Sequence, residues 1–171
     1  GLFVPEEFPH LTDADYDYLK EVDYKKRAAY ILKKYLSEFS LEELEDYSQK
    51  AYGNGKFPVD TTPIHKYDED TYYLELWHGP TCAFKDMALQ MLPHLLISSA
   101  KKEGDTRTVT ILVATSGDTG KAALDGFSDV EGSKIIVFYP KDGVSEIQKL
   151  QMITQKGKNV FVSGINGNFD D

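Results

Sequence analysis

The chain has 171 residues, of which 41% are apolar and 27% charged, and its formal net charge at pH 7 is −9. This length suits one good core or at most two small domains. The acidic balance disfavours binding to nucleic-acid phosphates, and no apolar run approaches the roughly 20 residues that span a bilayer. Cys82 is the only cysteine, which excludes an intrachain disulfide, and the histidines have no zinc-binding spacing. We therefore expect a cytoplasmic protein without metal, nucleic-acid or membrane partners.

Helical patterns dominate the first sixty residues. In the segment 23–39 apolar side chains recur at spacings of three and four, which predicts an amphipathic helix. The residues on this stripe are Ala28, Ile31, Leu32, Tyr35 and Leu36. Ser40 followed by Glu43 is a capping-box pattern, so a second helix is predicted to begin there and to end before Gly53.

A domain boundary is predicted after these helices. The segment 56–64 contains two prolines and is typical of a linker. We expect a helical N-terminal domain at residues 1–60 and a second domain at residues 61–171. Both ends of the sequence resemble cuts in a longer protein, so the second domain is expected to be incomplete.

Strand and helix patterns alternate in the second domain. The predicted elements are a strand at 71–76, a helix at 84–102 that Pro93 kinks or breaks, a strand at 108–114, a helix at 119–127, a strand at 134–139, a helix at 145–156 and a strand at 159–164. The strand at 108–114 is a nearly continuous apolar run, as expected of a strand buried on both faces. This order predicts an α/β fold with a parallel sheet and helices packed on its faces.

The loop "TSGDTG" (115–120) lies between a predicted strand and a predicted helix. Its glycines allow close approach to the backbone, its hydroxyls can donate hydrogen bonds, and the following helix would direct unpaired N–H groups at it. Such a loop suits a carboxylate or a phosphate. A plain strand-to-helix turn, with Asp118 or Thr119 as the N-cap, is equally compatible with the local pattern.

Two nucleotide-binding motifs fail in this loop. A Walker A sequence requires Gly where Thr115 stands and a hydroxyl residue where Ala122 stands. A dinucleotide fingerprint also fails, because Gly117 and Gly120 have no glycine partner at position 115.

Lys85 is the candidate nucleophile. If a helix begins near Phe84, the lysine lies in its first turn, where the helix dipole disfavours a positive charge. Partial burial by Trp77 and Phe84 would further favour the uncharged amine that forms a Schiff base. Taken alone, an exposed surface lysine whose stem packs on its neighbours is the commoner situation.

The two loops together resemble the threonine synthase family of pyridoxal-phosphate (PLP) enzymes. The motifs are "HGPTCAFKD" (78–86) and "ATSGDTG" (114–120), in the family's order. The segments "GLFVPEEFP" (1–9), "DTTPIHKY" (60–67) and "VFYPKDGVSEIQKLQM" (137–152) are also similar to it. The resemblance extends along essentially the whole chain.

This resemblance implies specific roles. The fold would be part of a three-layer α/β/α PLP-enzyme domain of the tryptophan-synthase-β-like type, preceded by the helical domain. Lys85 would form the Schiff base with PLP, and Asp118 would contact the cofactor. The substrate's α-carboxylate would be bound by Thr115, Ser116, Gly117, Asp118, Thr119 and Gly120. The implied reaction converts O-phospho-L-homoserine and water to L-threonine and phosphate.

The resemblance also implies that parts are missing. In the family, the loop for the PLP phosphate and the group facing the pyridine nitrogen lie further along the chain, and "NGNFDD" (166–171) does not match that loop by position. We therefore expect the 171 residues alone to be inactive. Two other readings remain open, another PLP-dependent lyase or dehydratase and a non-catalytic anion-binding module. The related dehydratases typically have Asn where this chain has Asp118.

Overall fold

The computed structural model describes residues 3–168, so Gly1, Leu2 and the end of the "NGNFDD" segment at 169–171 lie outside the described residues. The chain divides into two compact units, Gly1–Thr62 and Pro63–Asp171. Within residues 3–168, no helix is long and apolar enough to cross a membrane.

The first unit is built from three helices. They are α1 (Asp13–Glu21), α2 (Tyr24–Tyr35) and α3 (Leu41–Tyr52). The predicted capping box is confirmed at α3, because the Ser40 side chain accepts a hydrogen bond from the Glu43 N–H and the Glu43 carboxylate accepts one from the Ser40 N–H. Helices α2 and α3 pack together, and Ala29, Leu44 and Ala51 become fully buried.

A carboxylate network also stabilises this unit. Asp15 accepts hydrogen bonds from the Tyr30 hydroxyl and from the Thr12 N–H, the latter at 2.6 Å, and its Oδ1 lies 3.0 Å from the Lys34 ammonium. The Tyr30 hydrogen bond is the largest of several contacts that lower the pKa of Asp15 below its ordinary value.

The second unit begins with a hairpin and two helices. Strands β1 (Ile64–Lys66) and β2 (Tyr72–Leu74) pair antiparallel. The helix predicted at 84–102 is divided into α4 (Asp86–Leu89) and α5 (Leu92–Lys102), with Pro93 in the first turn of α5. The predicted break at Pro93 is therefore confirmed, since proline is tolerated in the first turn but not in the interior of a helix.

A parallel sheet forms the rest of the unit. Its strands are β3 (Val109–Ala114), β4 (Ser133–Pro140) and β5 (Val160–Ile165), in the order β3-β4-β5, and they alternate with helices α6 (Asp118–Phe127) and α7 (Glu146–Ile153). The predicted parallel α/β class is confirmed. The loops that leave the carboxyl ends of the strands therefore lie along one edge of the sheet.

The helices of this unit cover one face of the sheet. The core contains Ala123, Leu124, Phe127, Ile135, Val137, Tyr139 and Met152. On the opposite face Leu112 is 68% exposed and Phe161 is 51% exposed. The prediction that the strand at 108–114 is buried on both faces is therefore wrong for residues 3–168, because these residues form two layers of the expected three.

Candidate functional site

Two loops of the second unit carry the residues singled out in the sequence. We call residues 76–85 the lysine loop and residues 115–120 the SGDTG loop. The lysine loop enters α4, and the SGDTG loop leads from β3 into the first turn of α6. Helix α4 packs against α6, and Gln90 at the end of α4 donates a hydrogen bond of 2.7 Å to Asp125 of α6. These contacts fix the position of α4, at whose start Lys85 lies, relative to α6, at whose start the SGDTG loop lies.

A buried carboxylate holds the lysine loop. Asp86 is fully buried, and its two oxygens accept hydrogen bonds from the Thr81 N–H (2.8 Å) and the Thr81 hydroxyl (2.6 Å). Burial raises the pKa of Asp86, while the Thr81 hydrogen bonds oppose that rise. The Thr81–Asp86 pair closes the chain into a compact turn that positions residue 85.

Lys85 lies at the start of α4. It is half-buried, and its ammonium nitrogen lies 4.4 Å from the centroid of the Phe84 ring, a distance typical of a cation–π contact. Helix α4 has only four residues, so its dipole is much weaker than that of the long helix predicted from residue 84. The structure thus gives Lys85 a defined, partly apolar surrounding and little dipole field.

The SGDTG loop is organised around the hydroxyl of Thr115. This buried oxygen accepts hydrogen bonds from the N–H groups of Gly117 and Gly120, both at 3.1 Å. Gly117 is the N-cap of α6 and makes no side-chain cap. The alternative in which Asp118 or Thr119 caps the helix is therefore wrong, because Thr115 performs that function from outside the helix.

Close packing and backbone conformation favour glycine at both positions. A Cβ on Gly120 would lie 2.2 Å from Cγ2 of Thr115, and a Cβ on Gly117 would lie 2.5 Å from Cδ of Gln148. Gly117 also has φ +151, in the region that favours glycine. The Thr115 methyl carbon thus packs on the backbone of Gly120, and the Gln148 side chain packs on the backbone of Gly117.

The remaining loop residues face outward. Ser116, Asp118 and Thr119 are exposed, whereas Thr115, Gly117 and Gly120 are buried. Since the amides of Gly117 and Gly120 are satisfied by Thr115, an anion would be bound by the amides and hydroxyls of the exposed residues. Asp118 places a carboxylate among these donors.

Gln148 of α7 engages that carboxylate. Its Nε2 donates a hydrogen bond of 2.9 Å to Oδ1 of Asp118. Its Oε1 accepts from the N–H (3.3 Å) and the hydroxyl (3.1 Å) of Ser145, within the capping box that begins α7. One amide side chain thus joins the start of α7 to the start of α6.

The two loops border a common cavity of about 500 Å³. Its walls are formed by Leu76, Trp77, Thr81, Cys82, Ala83, Phe84, Asp118, Ile147, Gln148 and Gln151. Most of these side chains are apolar and a few are polar, as is typical of small-molecule sites. Asp118 is the one predicted site residue among these wall residues, and it faces the same cavity as Phe84, the neighbour of Lys85.

The connection between Lys85 and the SGDTG loop is indirect. In the described part of the chain, no hydrogen bond or ion pair joins Lys85 to residues 115–120. The loops are connected instead through the cavity walls and the α4–α6 packing. Sequence reasoning missed Asp86 and Gln148 as structural partners, although the Ser145–Gln148 spacing is itself a capping-box signal.

The chain is similar to known proteins along its whole length. The family model "Threonine synthase N terminus" matches residues 1–52. The threonine synthase of Buchnera aphidicola is 36% identical over 172 residues, which cover 100% of this chain and 38% of that protein. The human protein "Threonine synthase-like 1" is 35% identical, and the match covers 99% of this chain and 24% of that protein.

A solved structure is similar in fold as well. PLP-bound threonine synthase from Brucella melitensis superimposes with a TM-score of 0.91 at 35% identity, covering 99% of this chain and 36% of that one. The chain thus spans between about a quarter and two fifths of the length of these relatives.

Proposed function

We propose that this chain is part of an enzyme that makes L-threonine, because residues 1–52 match the model of the threonine synthase N terminus and the whole chain is similar to threonine synthases. The reaction is the conversion of O-phospho-L-homoserine and water to L-threonine and inorganic phosphate, and the enzyme is PLP-dependent and cytoplasmic. The observation that supports this proposal is the common cavity, which brings the lysine loop and the SGDTG loop together.

The described residues fit part of a PLP site. Lys85 supplies a primary amine on a turn fixed by the Thr81–Asp86 pair, with the Phe84 ring beside it. The SGDTG loop supplies exposed residues that carry amides and hydroxyls, next to a turn held by Thr115. PLP, when bound, supplies an electron sink for negative charge at the substrate's α- and β-carbons.

Each residue then has a defined task. Lys85 would hold PLP through its Nζ and would carry protons to and from the substrate. The amides of Ser116, Asp118 and Thr119, with the hydroxyls of the loop, bind the substrate's α-carboxylate and so orient its Cα–H bond. Asp118 would also contact the cofactor. Thr115, Gly117 and Gly120 hold the shape of the loop.

We further propose that the 171 residues alone do not catalyse the reaction. The groups that bind the cofactor's phosphate and pyridine nitrogen are expected in the part of the relatives that this chain does not match. Without a phosphate anchor, Lys85 would capture PLP only weakly. Borohydride reduction after PLP addition, followed by peptide mapping, tests this; stoichiometric labelling confined to Lys85 would contradict it.

Substrate choice is tested in the full-length natural protein that contains this sequence. We expect phosphate release from O-phospho-L-homoserine with equimolar threonine, and loss of both products in the K85A variant. L-Serine, L-threonine and L-homoserine serve as competing substrates. Release of ammonia from serine or threonine in place of phosphate would favour a dehydratase, and binding without turnover of any of them would favour an anion-binding module. The similar identity to proteins named threonine synthase and threonine synthase-like 1 makes this assay decisive.

A further inference from the structure

An aspartate in an anion-binding loop creates an electrostatic conflict. Asp118 is the first residue of α6, where the N–H groups would receive a substrate carboxylate. A carboxylate that can move freely there would repel the incoming anion and compete with it for the same donors. Some feature of the protein has to hold the Asp118 side chain in a fixed direction if the loop is to bind an anion.

Gln148 makes the contacts that this task requires. Its Nε2 donates to Asp118 Oδ1 at 2.9 Å. Its carbon and nitrogen atoms lie where a Cβ on Gly117 would stand, so it also packs against the backbone of the loop. Its Oε1 is held by the Ser145 N–H and hydroxyl, which fixes the side chain before any ligand arrives.

We propose that Gln148 is a positioning residue that holds the Asp118 carboxylate away from the incoming carboxylate of the substrate. Both side chains line the common cavity, so a change in their pairing alters the site directly. The inference rests on the proposed function for its substrate, but the contact between α7 and the SGDTG loop is testable without catalysis.

The Q148E variant isolates the contact with Asp118. A glutamate at this position still accepts from Ser145, because Glu is a natural partner in a capping box. The glutamate has no N–H group to donate to Asp118, and it places a second carboxylate beside the Asp118 carboxylate. In the D118N background the same substitution is tolerated, since the amide of the introduced asparagine can donate to the carboxylate of the introduced glutamate. D118N alone keeps an oxygen that accepts from Gln148.

The experiment is a double-mutant cycle in the full-length natural protein. In the Asp118 background, Q148E should raise KM for O-phospho-L-homoserine about tenfold. A tenfold change corresponds to about 1.4 kcal/mol, which is typical of the loss of one charge-assisted hydrogen bond. The effect on kcat should be much smaller. In the D118N background, Q148E should change KM less than about twofold. K149Q, an exposed neighbour that shifts the net charge equally, is the matched control and should leave KM unchanged.

A second measurement separates this inference from the proposed function. Hydrogen–deuterium exchange of the peptide containing residues 115–120 should accelerate in Q148E and return towards the wild-type rate in D118N/Q148E. This holds even if the wild-type protein does not act on O-phospho-L-homoserine, a result that would overturn only the proposed substrate. Equal effects of Q148E in both backgrounds, or no effect on exchange, would overturn the role of Gln148.

Discussion

Removing the Thr115 hydroxyl should loosen the SGDTG loop and destabilise the second unit. Thr115→Val keeps the branched shape of the side chain but deletes the oxygen that accepts from Gly117 and Gly120. Each backbone N–H left without a partner costs roughly 1–3 kcal/mol when it is buried. The neighbouring Ser116 is exposed, so water can reach part of the loop and reduce this cost. We therefore expect Thr115→Val to lower the free energy of unfolding by about 2–4 kcal/mol for the two N–H groups together.

Urea unfolding of the 171-residue chain measures this effect. Trp77 is the only tryptophan and lies in the same unit as the loop, so its fluorescence reports that unit's transition. Thr115→Ser is the matched control: it keeps the hydroxyl and deletes a methyl group, at a cost of about 1 kcal/mol.

The comparison of the two variants decides the argument. A Thr115→Val transition within about 0.5 kcal/mol of the wild type would show that the hydroxyl is not needed as an acceptor. If Thr115→Ser were as unstable as Thr115→Val, the methyl group would contribute as much as the two hydrogen bonds to the glycine amides, and the expected order of the two variants would be wrong.

The other predictions concern single contacts. Gly120→Ala places a Cβ 2.2 Å from the Thr115 methyl carbon and should lower the unfolding free energy by about 1–3 kcal/mol in a urea titration; a wild-type value would contradict the close packing. Arg107 holds the pKa of Asp105 down to about 2, so Arg107→Ala should return the Asp105 pKa towards 3.8 in an NMR titration. Any stability from this exposed pair is present above pH 3.8 and is lost as the pH falls through about 2. Burial raises the pKa of Asp86 above 3.8, so the stability of the wild type relative to Asp86→Asn should be greatest below that pH and should fall as the pH rises through the folded pKa. A pH-independent difference between the two proteins would contradict the raised pKa.

Features set by neighbouring residues were predictable from the sequence. The Ser40–Glu43 capping box and the break at Pro93 depend on residues within one helical turn, so their physical basis lies in the local sequence. The alternation of strands and helices predicted the parallel sheet, because neighbouring parallel strands need a crossover connection such as a helix. The strand-to-helix turn at the SGDTG loop was predicted, but its cap was not, because the capping oxygen belongs to Thr115 before the helix.

Features set by distant residues were not predictable. The stripe predicted on α2 included Tyr35, which is 46% exposed, while the fully buried residue of that helix is Ala29. The packing of α3 decides which side of α2 is covered. Similarly, the apolar run of β3 predicts two buried faces, but Leu112 is exposed on the face opposite the helices. The hydrophobic pattern of a strand shows which of its faces can be buried. Whether a face is buried depends on which elements pack against it.

The partnership of Asp118 and Gln148 links the identity of one loop residue to a helix thirty positions away. An asparagine at position 118 would be neutral and would not repel a carboxylate ligand, so a loop of that type has no charge to restrain. An aspartate at the same position needs a donor that fixes its direction, and the donor must itself be held, as Gln148 is by Ser145. Glycine is required at position 117 by its φ of +151, and the side chain that restrains Asp118 packs in the space where a Cβ would lie. One network of contacts therefore joins Gly117, Asp118, Ser145 and Gln148. Substitution of any one of these residues changes the contacts that the other three make.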